Sequence, residues 1–179
     1  ETPKTVDFEI VDNDPQFLNK NKDRDTITWI GHSTLLIQYN GINILTDPHL
    51  TQRASPVSFA GPKRYTPPGL SIEDLPEIDL IIISHNHYDH LDKLTIEKLF
   101  KKQSKNSPHV FVPLRLKKWF EDLGIINVTE LDWYESKEFN EWRIHSIPVQ
   151  HWSSRSPLDR NRTLWAGWVL ETEGFRFFF

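Results

Sequence analysis

Apolar and β-branched residues alternate with polar ones after residue 25, in short runs that are separated by turn residues. Thr26 to Ile30 and Thr34 to Tyr39 have the composition of strands, and Asn40-Gly41 supplies a two-residue turn before Ile42 to Leu45. This pattern predicts a β-hairpin near the start of the chain.

In the middle of the chain the spacing of apolar residues becomes that of helices. Apolar residues from Leu91 to Phe100 recur among Lys and Glu, and a second amphipathic helix is predicted over Leu114 to Leu123, stopped by Gly124. His109 to Val112 is predicted to be a strand between them. Four further strands are predicted towards the end of the chain, over Val128 to Leu131, Trp142 to Val149, Leu164 to Glu171 and Phe175 to Phe179.

The order of these elements predicts the fold class. Strands and helices alternate in the middle of the chain, and strands predominate at its start and end. This order indicates an α/β fold in which helices cover one outer face of the sheet. The chain of 179 residues is long enough for one core, and we expect a polar N-terminal arm over 1–25 followed by one domain over 26–179. The stretch from Arg53 to Leu70 is rich in proline and glycine and predicts a long irregular loop beside a functional site.

Composition narrows the classes of function. A net charge of −4 from mixed signs gives no broad positive surface, so a nucleic-acid partner is disfavoured. The absence of cysteine excludes disulfides and thiolate metal sites and leaves the compartment open, with a preference for the cytoplasm. No transmembrane segment is predicted, so any membrane contact would be peripheral. The chain begins at Glu1 and holds no methionine, and we expect a processed or trimmed product.

Metal-binding side chains are concentrated directly after an apolar run. Ile81 to Ile83 is followed by His85, His87, Asp89 and His90, and His151 comes much later. Because alternate side chains share a face in extended backbone, one loop can present His85 and His87 to one metal, and Asp89 and His90 to a second. Imidazole and carboxylate donors without thiolate suit zinc, with iron or manganese as alternatives.

The competing interpretation is a polar surface loop in which histidines cluster by coincidence, since the chain contains eight of them. At the residue frequencies of this chain, the four fixed positions would coincide with a probability on the order of one in a thousand. We therefore interpret the cluster as the metal site of a hydrolase.

Other residues are weaker candidates for a role at this site. Arg53, Lys63 and Arg64 in the long loop either bind a substrate phosphate or are solvated charges. Trp152 either belongs to the core or forms a wall that holds an acyl or ring substrate. His32 is explained equally well as a buried, hydrogen-bonded histidine and as a site residue. Three more have no ligand spacing and are interpreted as ordinary histidines: His49, His109 and His145.

The ligand pattern is one of several motifs that occur in order along the chain. They are Trp29-Ile30-Gly31-His32, Leu45-Thr46-Asp47-Pro48, Arg53-Ala54-Ser55-Pro56, Gly61-Pro62-Lys63-Arg64, Phe111-Val112-Pro113-Leu114, Glu130-Leu131-Asp132-Trp133 and Gln150-His151-Trp152. Together with the metal-binding residues they resemble the metallo-β-lactamase fold superfamily. Within it they are similar to the N-acyl-phosphatidylethanolamine-hydrolysing phospholipase D branch and, more loosely, to bacterial RomA-like proteins. The similarity runs from about Thr26 to the last residue.

This resemblance implies an αββα sandwich with the site at one edge, a zinc pair and a bridging hydroxide as the nucleophile. It also implies a bridging aspartate in an Ala/Ser-Gly-Asp run and a final histidine ligand. Neither is present, so we expect the first half of the sandwich here and a C-terminal half elsewhere that completes the fold. Three imidazoles, from His85, His87 and His151, would hold one zinc. Asp89 and His90 alone would hold a second weakly, so one ion is expected in this chain and two in the complete protein.

The predicted function is that of a zinc-dependent hydrolase, with a metal-bound hydroxide acting on a phosphodiester or on a lactone or ester of a small or lipid-like molecule. Asp89 either holds the second metal with His90 or accepts the proton of the water as a general base. Asp47 matches a family position that supports the metal-binding loop, and a carboxylate hydrogen-bonded there to a ligand imidazole would raise its basicity. An ordinary Asp-Pro turn is the alternative. A non-catalytic metal-binding scaffold or interaction module and a nuclease of the same superfamily are the alternative functions.

Overall fold

The computed structural model describes residues 9–179, so the first eight residues of the predicted N-terminal arm lie outside the described residues. Over 9–179 the chain forms three helices and ten strands. In chain order they are α1 (Pro15–Lys20), β1 (Thr26–Gly31), β2 (Thr34–Tyr39), β3 (Ile42–Thr46), β4 (Leu80–Ile82), α2 (Lys93–Lys102), β5 (His109–Pro113), α3 (Lys117–Glu121), β6 (Val128–Leu131), β7 (Ser136–Phe139), β8 (Trp142–Ile147), β9 (Gly167–Thr172) and β10 (Phe175–Phe178).

The first sheet contains six strands in the order β1-β2-β3-β4-β5-β6. Its first three strands are antiparallel, and the predicted hairpin is confirmed by the pairing of Tyr39 with Ile42. Asn40 and Gly41 have φ values of 50° and 76°, as a two-residue turn with both central residues left-handed requires. From β3 onward the strands are parallel, so their carboxyl ends meet at one edge of the sheet.

Two helices connect the parallel strands, because parallel neighbours need a crossover. α2 begins after Asp92, whose carboxylate accepts a hydrogen bond from the backbone N–H of Leu94 and caps the helix. The second predicted helix is shorter than expected, since Arg115 takes a left-handed φ of 69° and the helical turns begin only at Lys117. Gly124, with φ of 77°, follows its end as predicted.

The second sheet is antiparallel, in the order β10-β9-β8-β7. Three of its strands were predicted, with ends shifted by up to three residues. Strand β7 was not predicted, because Ser136, Lys137 and Glu138 are exposed on a sheet edge and show no alternation of apolar residues.

Two hydrophobic clusters divide the molecule into layers. The first lies between the first sheet and the helices, and the second lies between the two sheets. Strand β4 serves both, since Ile81 faces the helices whereas Leu80 and Ile82 face the second sheet. The result is an α/β/β stack with helices on one outer face of the first sheet, as the sequence predicts.

The polar segment before the first strand contains a helix that the sequence analysis did not predict. Asp14 accepts hydrogen bonds from the backbone N–H groups of Gln16 and Phe17, and Pro15 occupies the first helical position. Leu18 is buried in the first hydrophobic cluster. Phe17, which is only partly buried, packs against the same cluster, so the segment contacts the core through two side chains although most of its residues are polar.

Candidate metal centre

All the predicted metal ligands lie at the edge of the first sheet where strands β1, β3 and β4 end. His32 follows β1, Asp47 follows β3, and the ligand loop 83–92 follows β4. The loop departs from extended geometry, because the backbone N–H groups of His90 and Leu91 both donate to the carbonyl of His87. This turn separates Asp89 and His90, the last two ligands of the motif, from His85 and His87.

His85, His87 and His151 form a trihistidine cluster. The Nε2 atom of His85 lies 2.8 Å from Nδ1 of His87 and 3.0 Å from Nε2 of His151. In a tetrahedral site with metal–nitrogen bonds near 2.1 Å, ligand nitrogens are about 3.3 Å apart. The three imidazoles therefore converge on one point, and small rotations would accommodate a cation there.

His32, Asp89 and His90 form a second cluster. The Oδ2 atom of Asp89 lies 3.0 Å from Nε2 of His32 and 3.7 Å from Nε2 of His90, and the two Nε2 atoms are 3.3 Å apart. The sequence left two explanations of His32, a buried histidine and a site residue. The structure shows it 47% exposed in its side chain and directed at the predicted ligands of the second metal.

Asp47 joins the two clusters. Its fully buried carboxylate accepts a hydrogen bond from Nδ1 of His90 at 2.7 Å and two more from the backbone N–H and the hydroxyl of Ser84. The hydroxyl oxygen of Ser84 lies 2.8 Å from Nδ1 of His85 and accepts from it. Both imidazoles thus carry their proton on Nδ1, which leaves Nε2 free for a metal. The sequence analysis named Asp47 for this position but not Ser84.

Burial and charge set the protonation of the ligands. Burial, reinforced by the neighbouring histidines, lowers the pKa of His85 to about 2. Burial also lowers the pKa of His87 and of His151. The trihistidine cluster is therefore neutral near pH 7, which is the form of imidazole that binds metals.

The second cluster has a different balance. Burial would lower the pKa of His90, but the hydrogen bond to Asp47 and the charges of Asp47 and Asp89 raise it above its usual value. The pKa of Asp89 is lowered, because the nearby histidines outweigh the effect of its burial. A carboxylate anion thus lies beside the two imidazoles.

Arg155 holds the ligand loop in place and was missed by the sequence analysis. Its Nη1 donates to the carbonyls of Asn86 and Leu91, both at 2.8 Å, which bracket the second half of the loop. Its guanidinium stacks on Tyr88 at 4.0 Å from the ring centre, and the Tyr88 hydroxyl donates to the Arg155 carbonyl. No local motif marks this residue, because its partners are backbone atoms more than 60 positions away in the chain.

A cavity of about 320 Å³ lies against both clusters. Its lining includes Asp47, His85, His90 and His151 together with Phe178 and Phe179. The cavity therefore borders ligands of both clusters.

The predicted substrate residues make different contacts. The ring of Trp152 packs edge-on against His87 at 4.3 Å between centroids and is 40% exposed. Arg53 donates to the carbonyl of Gly61, and Arg64 donates to the carbonyls of three residues in or near the long loop: His49, Thr51 and Thr66. Lys63 is exposed. The two arginines thus fix the loop conformation, and their proposed role towards phosphate stays a prediction.

The three histidines without ligand spacing lie outside both clusters. His109 contacts the Thr129 hydroxyl, and His145 contacts the Glu171 carboxylate. His49 is buried, and both its ring nitrogens lack a hydrogen-bond partner within the described residues.

Comparison with known proteins identifies relatives of the chain. A family model described as beta-lactamase superfamily domain matches residues 42–179. N-acyl-phosphatidylethanolamine-hydrolyzing phospholipase D 1 of Caenorhabditis elegans is 44% identical over 163 residues, which cover 85% of this chain and 45% of that protein. The mitochondrial N-acyl-phosphatidylethanolamine-hydrolyzing phospholipase D of Saccharomyces cerevisiae is 40% identical over 151 residues, which cover 82% of this chain and 31% of that protein. The chain thus spans less than half the length of these two relatives.

A solved structure supports the fold. CmlA, a diiron beta-hydroxylase from Streptomyces venezuelae, superimposes with a TM-score of 0.60 at 22% identity over 89% of this chain and 30% of that chain. At this level of identity the likeness shows the fold alone. Over the described residues, no helix has the length and apolar composition that crossing a bilayer requires.

The first prediction concerns the Arg155 clamp. Arg155→Ala removes the donor from two backbone carbonyls, and we expect the free energy of unfolding to fall by roughly 2–4 kcal/mol. Metal affinity should fall as well, because the ligand loop loses its support. Urea unfolding and metal titration measure both effects. The matched control is Arg143→Ala, which removes an exposed pair with Glu138; an Arg155 variant as stable as this control would contradict the clamp.

The second prediction concerns the pH dependence of the metal-free chain. Because the pKa of His85 is lowered from 6.5 to about 2, its neutral form stabilises the fold fully above pH 6.5 and progressively less as the pH falls towards 2. His90 contributes with the opposite sign, since its pKa is raised. We expect the slope of stability against pH between 6.5 and 5 to be smaller in His85→Gln by up to about 1.4 kcal/mol per pH unit. Urea unfolding in the presence of a chelator measures it, and equal slopes would refute the assignment.

Proposed function

Because the chain belongs to the family described as beta-lactamase superfamily domain and has a metallo-β-lactamase-like fold, we propose that the complete protein is a zinc-dependent hydrolase. We further propose a phosphodiester of a lipid-like molecule as its substrate, with a lactone or ester as the alternative. The observation that carries the proposal is the convergence of the trihistidine cluster and the second cluster on the two sides of one buried carboxylate, Asp47.

The donor chemistry supports zinc at the trihistidine cluster. Three neutral imidazoles with one position left open are a common catalytic zinc sphere, and thiolate is absent from the chain. A bound divalent cation would supply the acidification of a water molecule and the polarisation of the scissile oxygen. The hydrogen bonds that Ser84 and Asp47 make fix the tautomers of His85 and His90 that such a cation requires.

Asp89 is the residue proposed to take part in catalysis. Its carboxylate is held as an anion between His32 and His90 and is 39% exposed in its side chain. It can serve as a ligand of a second cation or as the base that accepts the proton of a water molecule. The geometry over the described residues favours the ligand role, because both of its neighbours are imidazoles that face it through Nε2.

The substrate class is supported by the relatives and by the surroundings of the centre. Two relatives are named as phospholipases D that hydrolyse N-acyl-phosphatidylethanolamine, a lipid phosphodiester. The cavity beside the ligands is lined on one side by Phe178 and Phe179, which suits an apolar group. We propose Trp152, which packs edge-on against His87 and is 40% exposed, as a further contact for an acyl chain. A lipid substrate would bring peripheral contact with a membrane surface.

The rest of the centre is proposed to come from a second half of the sandwich. The family resemblance implies a bridging aspartate in an Ala/Ser-Gly-Asp run and a final histidine, and we propose that both lie in that second half. The cavity of about 320 Å³ is bordered by Asp47, His85 and His90, and we propose that the bridging carboxylate enters it there. We expect these residues to complete the site in a protein of the relatives' length.

The third prediction tests the role of Asp89 in that complete protein. Asp89→Asn keeps the shape of the side chain but removes its charge, so we expect turnover of phosphodiesters to fall by roughly 100-fold or more with the fold intact. Steady-state rates on phosphodiester and lactone substrates measure it, with Asp122→Asn, on the exposed end of α3, as the control. Undiminished turnover would refute the role. A metal-loaded wild-type protein that hydrolyses neither class would favour the non-catalytic scaffold.

The fourth prediction concerns the loop charges. Lys63 is the sharpest test, since it makes no hydrogen bond or ion pair over residues 9–179, whereas Arg53 and Arg64 also hold the loop. If these charges bind phosphate, Lys63→Gln should raise KM for phosphodiesters about 3- to 10-fold and leave KM for neutral esters unchanged. Lys98→Gln, on the exposed face of α2, is the control. An equal effect on both substrate classes would show that the charge is merely solvated.

A further inference from the structure

We propose that His32 is a metal ligand and that it completes, with Asp89 and His90, a second cation site built from this chain alone. The proposal rests on the metal dependence proposed above and does not require that the protein be a hydrolase. It departs from ligand counting in the sequence, which leaves the second site with only two protein ligands.

The ligand atoms are arranged for one cation. Nε2 of His32, Oδ2 of Asp89 and Nε2 of His90 lie within 4.8 Å of one another, and the three separations run from 3.0 to 3.7 Å. These separations bracket the value of about 3.3 Å expected between ligands of a tetrahedral cation. His32 lies 58 positions before His90 in the chain, so local sequence does not force its imidazole towards Asp89 and His90.

The backbone before His32 is built to bring its imidazole there. The register of β1 against β2 shifts between Trp29 and Gly31, and His32 itself has a left-handed φ of 53°. Gly31 has a φ of 138°, which residues with a side chain rarely adopt, and a Cβ atom there would lie 2.5 Å from Nη2 of Arg64 and displace that guanidinium. The indole N–H of Trp29 donates to the carbonyl of His32 and closes the turn. Left-handed backbone in a non-glycine residue costs free energy and is concentrated at functional sites.

An ordinary ion pair is a weaker explanation. The His32–Asp89 contact is between partly exposed side chains, and such pairs contribute little to stability. That contribution would not offset a strained turn. In the neutral form of His90 the proton lies on Nδ1, directed at Asp47, and Nε2 then offers a lone pair to the position that His32 and Asp89 also face. Either a proton or a cation satisfies three acceptors arranged in this way, and a divalent cation has the higher charge.

The donor set differs from that of the trihistidine cluster. Two imidazoles and one carboxylate suit zinc, iron(II) or manganese(II), whereas three imidazoles without a carboxylate suit zinc. A third protein ligand also raises the affinity of the second cluster for a cation, since two protein ligands leave the cation largely solvated. We therefore infer that this chain holds two divalent cations, one in each cluster.

The test is a metal titration of the chain with zinc, and separately with cobalt(II), followed by elemental analysis after gel filtration. The informative variant is His32→Gly, because glycine adopts the left-handed backbone freely and removes only the imidazole. We expect two equivalents in the wild type and one in His32→Gly, with the dissociation constant of the lost equivalent raised at least 10-fold and the cobalt absorption of the retained one unchanged. Asp89→Ala should lose the same equivalent, and His151→Ala the other. The control is His145→Ala, which should keep both.

The outcomes separate this proposal from the proposed function. Two equivalents in His32→Gly with unchanged affinity, or a single equivalent in the wild type that only His85, His87 and His151 control, would overturn the His32 ligand and leave the hydrolase proposal standing. Binding of both cations without hydrolysis by the complete protein would overturn the hydrolase proposal and leave the His32 ligand standing. Circular dichroism of each variant shows whether a loss of metal reflects a loss of fold, in which case His32→Asn, whose side chain also tolerates the left-handed region, replaces His32→Gly.

Discussion

The buried carboxylate of Asp47 is the interaction on which the rest of the centre depends. A buried anion is costly unless it is hydrogen-bonded, and here three donors from Ser84 and His90 bond both oxygens of the carboxylate. The backbone N–H of Asp47 in turn donates to the carbonyl of Ile82. These bonds fix the ends of β3 and β4 against each other at the point where the ligand loop begins.

The parallel pairing of β3 and β4 is the second constraint, because it places the residues that follow both strands at the same edge. The second sheet holds this edge from the other side: the indole N–H of Trp168 donates to the carbonyl of Ile83, and the backbone N–H of Ala166 donates to that of Ser84. The start of the ligand loop is thus bonded to both sheets. A change in the packing between the sheets would therefore reach the ligands directly.

The sequence predicts most of the fold because its strands show strong apolar patterns and its turns use residues such as Asn40 and Gly41. It fails where structure is determined by exposure or by distant partners. Strand β7 lies on an exposed edge and carries no apolar pattern, and α1 is short and buries only Leu18. The metal-ligand motif is local in the sequence and was therefore predicted. His32 and Arg155 are far from the motif in the sequence and are brought to the centre only by folding.

Backbone strain at the centre indicates that the fold is organised for a cation in advance. His32 and Asp47 both have left-handed φ values, and the trihistidine cluster brings ring nitrogens within 3.0 Å of one another. The strained backbone costs free energy in the metal-free chain, and hydrogen bonds through Asp47, Ser84 and Arg155 hold the centre in place. A cation offsets this cost, since binding at 1,000 times its dissociation constant stabilises the folded state by about 4 kcal/mol. The same bonds that hold the ligand loop in place therefore link metal affinity to the stability of the whole fold.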